Sequence, residues 1–201
     1  MARRPDYTLP RRPSRHAAVS VELFDDAPQA YRNLERCRIQ RRETPISPPD
    51  VEIREDDLSG AQTQELVRLH LEGMHANSPP GSVFALDQLQ LKGAGITFWT
   101  AWIGGTVAGM GALKDLGDGT GEVKSMRTHP AFLRRGVGAA LLEHVIGVAR
   151  ARGMRRLSLE TGSGPAFDPA VALYSRVGFV DGEAFAQYER SAFNQFLHLS
   201  L

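Results

Sequence analysis

A glycine-containing turn ahead of an amphipathic segment gives the first indication of chemistry. Residues 126–142 read Met-Arg-Thr-His-Pro-Ala-Phe-Leu-Arg-Arg-Gly-Val-Gly-Ala-Ala-Leu-Leu. Gly136 and Gly138 let the backbone come close to a ligand. The first N–H groups of the helix predicted after them lack internal partners and lie at the positive end of its dipole. This arrangement suits a pyrophosphate, and Arg134 and Arg135 would add positive charge for a phosphate-rich ligand.

Two common phosphate-binding motifs are excluded at this turn. A P-loop needs Gly-Lys followed by Ser or Thr, whereas the sequence here is Gly-Val-Gly-Ala. A dinucleotide fingerprint needs a third glycine three residues after Gly138, where Leu141 stands. Taken alone, the turn is also compatible with a plain connection between a strand and a helix.

The elements around the turn predict an α/β domain. Strands are predicted at 51–54, 96–103, 106–113, 122–128, 157–161, 179–188 and 193–201, with Gly104 and Gly105 as a tight hairpin turn. Helices are predicted at 60–76, 135–152 and 169–177, the last with Asp168 as its N-cap and Gly178 as its stop. This order predicts a mixed sheet with helices packed on its faces.

Composition excludes several classes of protein. No apolar run approaches the ~20 residues of a membrane helix, so no membrane partner is expected. Residues 51–201 hold fourteen basic and sixteen acidic residues, which lacks the positive excess of nucleic-acid-binding domains. Cys37 is the only cysteine, which excludes an internal disulfide and a Cys-based zinc site. A reducing, cytoplasmic location is the expectation.

Residues 1–49 differ in composition from the rest of the chain. Residues 1–50 contain ten arginines against seven acidic residues, with several prolines and poor hydrophobic periodicity. We predict a disordered Arg/Pro-rich extension ahead of a domain spanning 50–201. A short helix at 28–42 and a tail that touches RNA or a membrane are the alternatives.

A second motif, about 35 residues after the glycine turn, establishes a family resemblance. Residues 170–179 read Ala-Val-Ala-Leu-Tyr-Ser-Arg-Val-Gly-Phe. With residues 126–130 and 136–139, in this order and spacing, they resemble the GNAT superfamily of acetyl-CoA-dependent N-acetyltransferases. The run at 74–82 is similar to a branch of uncharacterised bacterial members. The resemblance implies the GNAT acyltransferase fold, of class α/β (α+β), with a mixed, largely antiparallel central sheet and helices on both faces.

The resemblance also implies acetyl-CoA as co-substrate and a place for it. In the family the coenzyme lies where two parallel strands splay apart, here 122–128 and 157–161. The pantetheine arm would pair with backbone near 126–128, and the pyrophosphate would lie on amides of 134–139. The residues implied are Met126, Arg127, Thr128, Arg134, Arg135, Gly136, Val137, Gly138, Ala139 and Phe167. Phe167 stands where the family often has Asn, and Leu133 where it usually has Gln or Arg.

Acetyl transfer to an amine requires a neutral amine, a hydrogen-bond donor for the oxyanion and an acid for the departing thiolate. The resemblance implies Tyr174 as that acid, with a core aromatic residue as the alternative. Glu122 stands where many relatives keep a general base, although it could be a solvated carboxylate at a strand end. Glu160, on the facing strand, is the second candidate for the base. The backbone N–H near Arg127 is the expected oxyanion donor.

Two residues are candidates for contacts with the acceptor. Glu160 faces the expected cleft, and His75 lies at the edge of the loop that shapes the acceptor pocket in the family. His70 and His75 are five residues apart and share a helix face poorly, so no metal site is expected.

The sequence therefore favours an enzyme that moves an acetyl group to a primary amine of a small molecule by direct attack in a ternary complex. One alternative is a protein N-terminal or lysine acetyltransferase. Such an enzyme would require an open groove, whereas the Pro79-Pro80 loop is expected to cover the site. The other is a non-catalytic coenzyme A-binding regulatory module, against which Tyr174 and Glu122 argue. The apolar run 193–201 reads as an uncovered edge, from which we expect a homodimer.

Overall fold

The computed structural model describes residues 51–201, so the predictions made for residues 1–49, Cys37 included, lie outside the described residues. The strands are β1 Glu52–Glu55, β2 Ile96–Ile103, β3 Thr106–Asp115, β4 Thr120–Thr128, β5 Arg156–Gly162, β6 Val180–Asp181 and β7 Asn194–Ser200. The helices are α1 Ala61–Asn77, α2 Gln88–Leu91, α3 Val137–Ala151 and α4 Asp168–Val177, with a 3₁₀ turn at Pro130–Phe132. No helix in this part of the chain is long and apolar enough to cross a membrane.

The described strands form one seven-stranded sheet in the order β1-β2-β3-β4-β5-β7-β6. Among them, β4 and β5 are the one parallel pair, and the other neighbours run antiparallel. Parallel neighbours need a long crossover, and α3 supplies it between β4 and β5. The expected mixed, largely antiparallel sheet is therefore confirmed.

The two faces of the sheet are covered by different helices. Consecutive residues of a strand point to opposite faces, and Phe98 and Trp99 of β2 accordingly belong to different core clusters. Residues of α1 and α2 pack on the side of Phe98. Those of α3 and α4 pack on the side of Trp99. Helices on both faces were expected and are confirmed.

Helix α3 is held by a continuous apolar stripe. Its buried residues are Val137, Leu141, Leu142, Val145, Ile146 and Ala149, and burying a large aliphatic side chain contributes about 1.5–3 kcal/mol. This packing fixes the direction in which the N-terminus of α3 points, and with it the glycine turn at Gly136 and Gly138. The hairpin turn before β3 also forms as expected, because Gly104 and Gly105 both have positive φ, at 56° and 78°.

The predicted strand 179–188 is wrong beyond its first residues. Only Val180–Asp181 pairs with β7, after which the chain leaves the sheet. Phe185 and Tyr188 are buried with Phe196 in a separate aromatic cluster. The alternation that predicted a strand reflects this burial rather than pairing in the sheet.

The terminal run is covered in part within the chain. β7 pairs with β5 along its length, while on its other side β6 pairs only with Leu197 and His198. Phe196 and Leu197 are buried within the same chain, and the homodimer stays a prediction.

Two helix starts differ from the prediction. Asp168 is the first residue of α4 rather than its N-cap, because Phe167 occupies that position and no side chain caps the helix. Helix α2 was missed, although its signal is present in the sequence. The Asp87 side chain accepts a hydrogen bond of 2.8 Å from the Gln90 backbone N–H, and the Gln90 side-chain oxygen accepts one of 2.9 Å from the Asp87 backbone N–H, which is a capping box.

Candidate active site

A cleft opens where β4 and β5 part. The two strands pair only at Thr120–Glu122, against Arg156–Ser158. Beyond Glu122 the backbone of β4 has no partner on that side within the described sheet, which leaves an edge that an extended ligand could pair with. The expected splay between 122–128 and 157–161 is therefore present.

A bulge in β4 accompanies the opening. The register with β3 shifts between Met110 and Ala112, and Ser125 takes a φ of 52°, a left-handed conformation that costs a non-glycine residue about 1–2 kcal/mol. Gly111 makes room for it, because a Cβ there would lie 2.6 Å from Met126 Sδ. Bulges bend strands and redirect side chains, and here the Ser125 hydroxyl is left buried without a partner.

The cleft contains a cavity of about 160 Å³. Its walls come from the C-terminal half of α1, the loop after it, β4, β5 and α4. The lining residues are His70, Gly73, Met74, Asn77, Phe84, Ala85, Val123, Lys124, Ser125, Met126, Arg127, Glu160, Thr161, Ala166, Phe167, Ala170 and Tyr174. Tyr174, Glu160, Met126, Arg127 and Phe167 were candidates from the sequence. Glu122 and His75 do not line the cavity, and His75 is exposed.

Glu122 lies in a buried network instead. Its side chain forms an ion pair with Lys124 Nζ at 2.8 Å. The Tyr188 hydroxyl donates to Glu122 Oε1 at 2.5 Å and accepts from Lys124 Nζ at 2.7 Å. The carboxylate is 1% exposed, so a bound amine would have to displace a protein partner to reach it.

Glu160 has the properties expected of a general base that works near pH 7. It lines the cavity, and burial raises its pKa to about 7, with Lys124 opposing and Glu122 adding to that shift. A general base works best when its pKa lies near the working pH. Burial disfavours the charged carboxylate of Glu160, which has few protein partners. An incoming ammonium group would therefore stabilise that charge.

Tyr174 is on the buried face of α4 and lines the cavity. Its ring packs 5.8 Å from that of Phe179, centroid to centroid. Burial raises the pKa of its hydroxyl, so this group keeps its proton throughout the neutral range. Within residues 51–201 the hydroxyl has no hydrogen-bond partner, and it is therefore free to donate to a ligand.

The glycine turn follows the C-terminal end of β4. Gly136 has a φ of 81° and Arg134 a φ of 59°, and together they direct the chain into α3. The Arg134 and Arg135 side chains are exposed, and the Arg135 guanidinium lies 5.0 Å from the Phe132 ring centroid. The first N–H groups of α3, from Val137 on, point out of the helix without partners inside it. This geometry fits a pyrophosphate.

Gly138 has a role that was not anticipated. A Cβ there would lie 3.3 Å from Leu173 Cδ2 and 3.4 Å from Thr128 Oγ1. This glycine therefore lets α3 pack closely on α4 and β4, and a side chain as large as valine would disturb that packing. Val137 likewise faces the core, and only backbone groups of 137–139 remain available to a ligand.

Phe167 closes the cavity from the side of α4. It is buried, and its ring stands edge-on to Phe193 at a centroid distance of 5.5 Å. A Cβ on Gly162 would come within 2.6 Å of this ring, so the aromatic wall depends on that glycine. An apolar wall here replaces the polar contact that the family often has.

Sequence reasoning missed three groups. Tyr188 was not considered, because it meets Glu122 from 66 positions away. Lys124 was not considered either, although it lies two positions after Glu122 on the same strand, where alternate side chains share a face. The side chain of Arg127 was also missed, although the residue itself was singled out. No group of three His, Cys, Asp or Glu side chains able to hold a metal ion occurs among residues 51–201.

The sequence matches the family model described as "Acetyltransferase (GNAT) family" over residues 63–179. The chain belongs to the GNAT acetyltransferase family. Its GNAT relatives include the uncharacterised N-acetyltransferase YedL of Escherichia coli K12, 47% identical over 74% of this chain and 94% of that one. Another is the uncharacterised N-acetyltransferase YsnE of Bacillus subtilis 168, 51% identical over 68% of this chain and 90% of that one.

A solved structure agrees with the GNAT fold. A protein of Klebsiella pneumoniae assigned as an acyl-CoA N-acyltransferase superposes with a TM-score of 0.62 at 24% identity, over 76% of this chain and 98% of that one. The family uses acetyl-CoA or another acyl-CoA, and this protein is accordingly an acetyltransferase.

Proposed function

We propose that this protein transfers the acetyl group of acetyl-CoA to a primary amine of a small molecule by direct attack in a ternary complex, with Glu160 as base and Tyr174 as acid. The observation that carries the proposal is that Glu160 and Tyr174 line one small cavity beside the open edge of β4. Glu160 replaces Glu122 as the first candidate for the base, because Glu122 is paired and buried.

The coenzyme would be held by the open edge of β4 and the N-terminal turn of α3. The pantetheine arm would pair with backbone of Met126 and Thr128, and the pyrophosphate would lie on amides of 134–139 with Arg134 and Arg135 nearby. When bound, the coenzyme supplies an activated acetyl thioester.

In the transfer, the amine nitrogen bonds to the thioester carbonyl carbon while the carbon–sulfur bond breaks. The proton lost by nitrogen goes to Glu160, directly or through one water, and Tyr174 donates its proton to the departing sulfur. The Arg127 backbone N–H is the candidate donor to the carbonyl oxygen. Two reactants held together in this way avoid much of the entropic cost of their encounter.

The size and cover of the cavity support a small acceptor. About 160 Å³ lies below the roughly 300–1,000 Å³ of pockets that hold drug-sized ligands, which favours a small acceptor group. Phe84, from the loop after α1, lines the cavity and packs edge-on against Tyr188 at a centroid distance of 5.1 Å. This contact ties the loop to the C-terminal aromatic cluster and limits the opening.

The experiment is thiol release from acetyl-CoA with a panel of small primary amines and of peptides with free N-termini or lysines. We expect turnover with small amines and little with peptides. Faster turnover with peptides would replace the proposed acceptor class with a protein. Tight acetyl-CoA binding without thiol release on any amine would indicate a coenzyme-binding module instead.

A further inference from the structure

Arg127 directs its side chain toward α1 and not toward the coenzyme turn. A Cβ on Gly73 would lie 3.4 Å from Arg127 Nη1 and 3.6 Å from Nη2. Gly73 and Arg127 both line the cavity. The guanidinium therefore lies against position 73 of α1, at ordinary van der Waals distance, in the wall on the side of α1.

This guanidinium has no counter-ion in the part of the chain that the structure describes. Arg54, Arg68 and Arg190 pair with carboxylates there, but no ion pair includes Arg127. Its Nε is buried without a hydrogen-bond partner. Buried polar groups in proteins are nearly always hydrogen-bonded, and Arg127 as a whole is half-buried. A half-buried guanidinium whose Nε is enclosed without an acceptor is suited to a ligand that supplies one.

The surroundings of Arg127 reinforce the need for an anion. Burial, and secondarily the charge of Arg127, lowers the pKa of the neighbouring His70 to about 4, so that residue is neutral near pH 7. The Ser125 hydroxyl, in the same cavity wall, is a second buried group without a partner. The wall therefore offers a guanidinium and a hydroxyl, both able to donate, and the guanidinium forms no ion pair with a carboxylate of residues 51–201.

We propose that Arg127 binds a carboxylate of the acceptor, so that the substrate is an amino acid or another small molecule bearing both a primary amine and a carboxylate. This proposal rests on the proposed function. One cavity would then recognise both ends of the substrate, with Glu160 receiving the amine and Arg127 the carboxylate. A planar guanidinium binds a carboxylate through two parallel hydrogen bonds, which fixes orientation as well as charge.

The test compares acceptors in matched sets, each an amino acid, its carboxamide and the amine that lacks the carboxyl group. Thiol release is measured for the native protein, Arg127→Gln and Arg127→Lys. For the native protein we expect kcat/KM to be highest with the amino acids. In Arg127→Gln it should fall about 10- to 100-fold, mainly through KM, which corresponds to the loss of a charged hydrogen bond. Arg127→Lys should recover part of the loss. The readout is the ratio of kcat/KM for an amino acid to that for its carboxylate-free amine in each protein. This ratio should shrink in Arg127→Gln, because any effect on coenzyme binding is common to both acceptors.

Arg68→Gln is the matched control, since Arg68 is an exposed arginine of α1 paired with Glu65 and Glu72. It should leave the preference among acceptors unchanged. Because Arg127 lacks a protein partner, Arg127→Gln should keep or raise the melting temperature, which separates the effect from misfolding. Inorganic phosphate serves as a competing anion at saturating acetyl-CoA. Inhibition that is competitive with the acceptor and stronger for phosphate than for acetate would argue for a phosphorylated acceptor and against this proposal.

The outcome separates this proposal from the one on which it rests. Equal kcat/KM for the amino acids and their carboxamides would overturn the role of Arg127 while leaving the acetyltransferase reaction intact. If no acceptor turns over, calorimetry of amino acids with the protein bound to coenzyme A still decides. Affinity that falls in Arg127→Gln supports the carboxylate site, and affinity that is absent or unchanged in that variant refutes it.

Discussion

The Tyr188 hydroxyl donates a hydrogen bond of 2.5 Å to Glu122 Oε1, across 66 positions of sequence. Lys124 Nζ completes the group by bonding both residues. The three side chains thus satisfy one another beside the cleft. Glu122 stays with its protein partners, and Glu160 is the carboxylate that faces the cavity.

The first prediction concerns Glu160. Because its pKa is raised to about 7, the carboxylate form needed by a base is gained as pH rises. This group alone should lower kcat/KM about tenfold per pH unit well below 7, in addition to the loss of neutral amine. Glu160→Gln should lower kcat by about 10²-fold or more and leave only the dependence set by protonation of the amine. The measurement is a pH profile between 5 and 9 on both proteins. An unchanged profile in Glu160→Gln would return the role to Glu122 or to water.

The second prediction concerns the stability of the buried network. Glu122→Gln leaves Lys124 without its counter-ion, and breaking a buried pair in this way costs about 3–5 kcal/mol. We expect a lower urea midpoint, while folded protein retains most of its activity at pH 8. The double change Glu122→Leu with Lys124→Met should destabilise less than Glu122→Gln alone. Native stability combined with lost activity would show that Glu122 acts in catalysis.

The third prediction concerns Tyr174. Tyr174→Phe keeps the ring and its packing on Phe179 and removes only the hydroxyl. If that hydroxyl protonates the sulfur, kcat should fall about 10²-fold or more while acetyl-CoA affinity changes little. Ser175→Ala, at the exposed neighbouring position, is the control and should have native kinetics. Turnover of Tyr174→Phe near the native rate would make the hydroxyl dispensable and leave protonation to water.

The fourth prediction separates binding from packing at the glycine turn. Replacing both exposed arginines, Arg134→Gln with Arg135→Gln, should weaken acetyl-CoA binding about 10-fold or more at low salt, with an unchanged melting temperature. Gly138→Val should lower the melting temperature as well, because its side chain would meet Leu173 and Thr128. Calorimetry at two salt concentrations measures both effects. Native affinity in the arginine variant would mean that backbone amides alone hold the phosphates.

The fifth prediction concerns the N-terminal segment. Every residue that lines the cavity lies between His70 and Tyr174, and the composition of residues 1–49 offers little apolar surface to bury. A chain that starts at Pro49 should keep the melting temperature and the acetyl-CoA affinity of the full chain. A drop in either quantity would mean that the segment contributes to the folded domain.

The sequence by itself determined the family and the local elements. The apolar period of α3, the glycines of the turn and the Leu-Tyr-x-x-x-Gly-Phe pattern are local features, and local backbone preferences set them. The cleft between β4 and β5 could be expected from the same motifs. Tyr174, Met126 and Arg127 could likewise be singled out before their surroundings were known.

Only the tertiary structure decided which carboxylate is available. Glu122 and Glu160 are both glutamates on neighbouring strands, and Lys124, two positions after Glu122, is the one local difference in charge. Burial and partners distinguish them, because Tyr188 reaches Glu122 from a loop whose alternation had predicted a strand. The unpaired guanidinium of Arg127 depends in the same way on the approach of α1 at Gly73. Charge and pKa follow from contacts between distant residues, and those contacts exist only once the chain has folded.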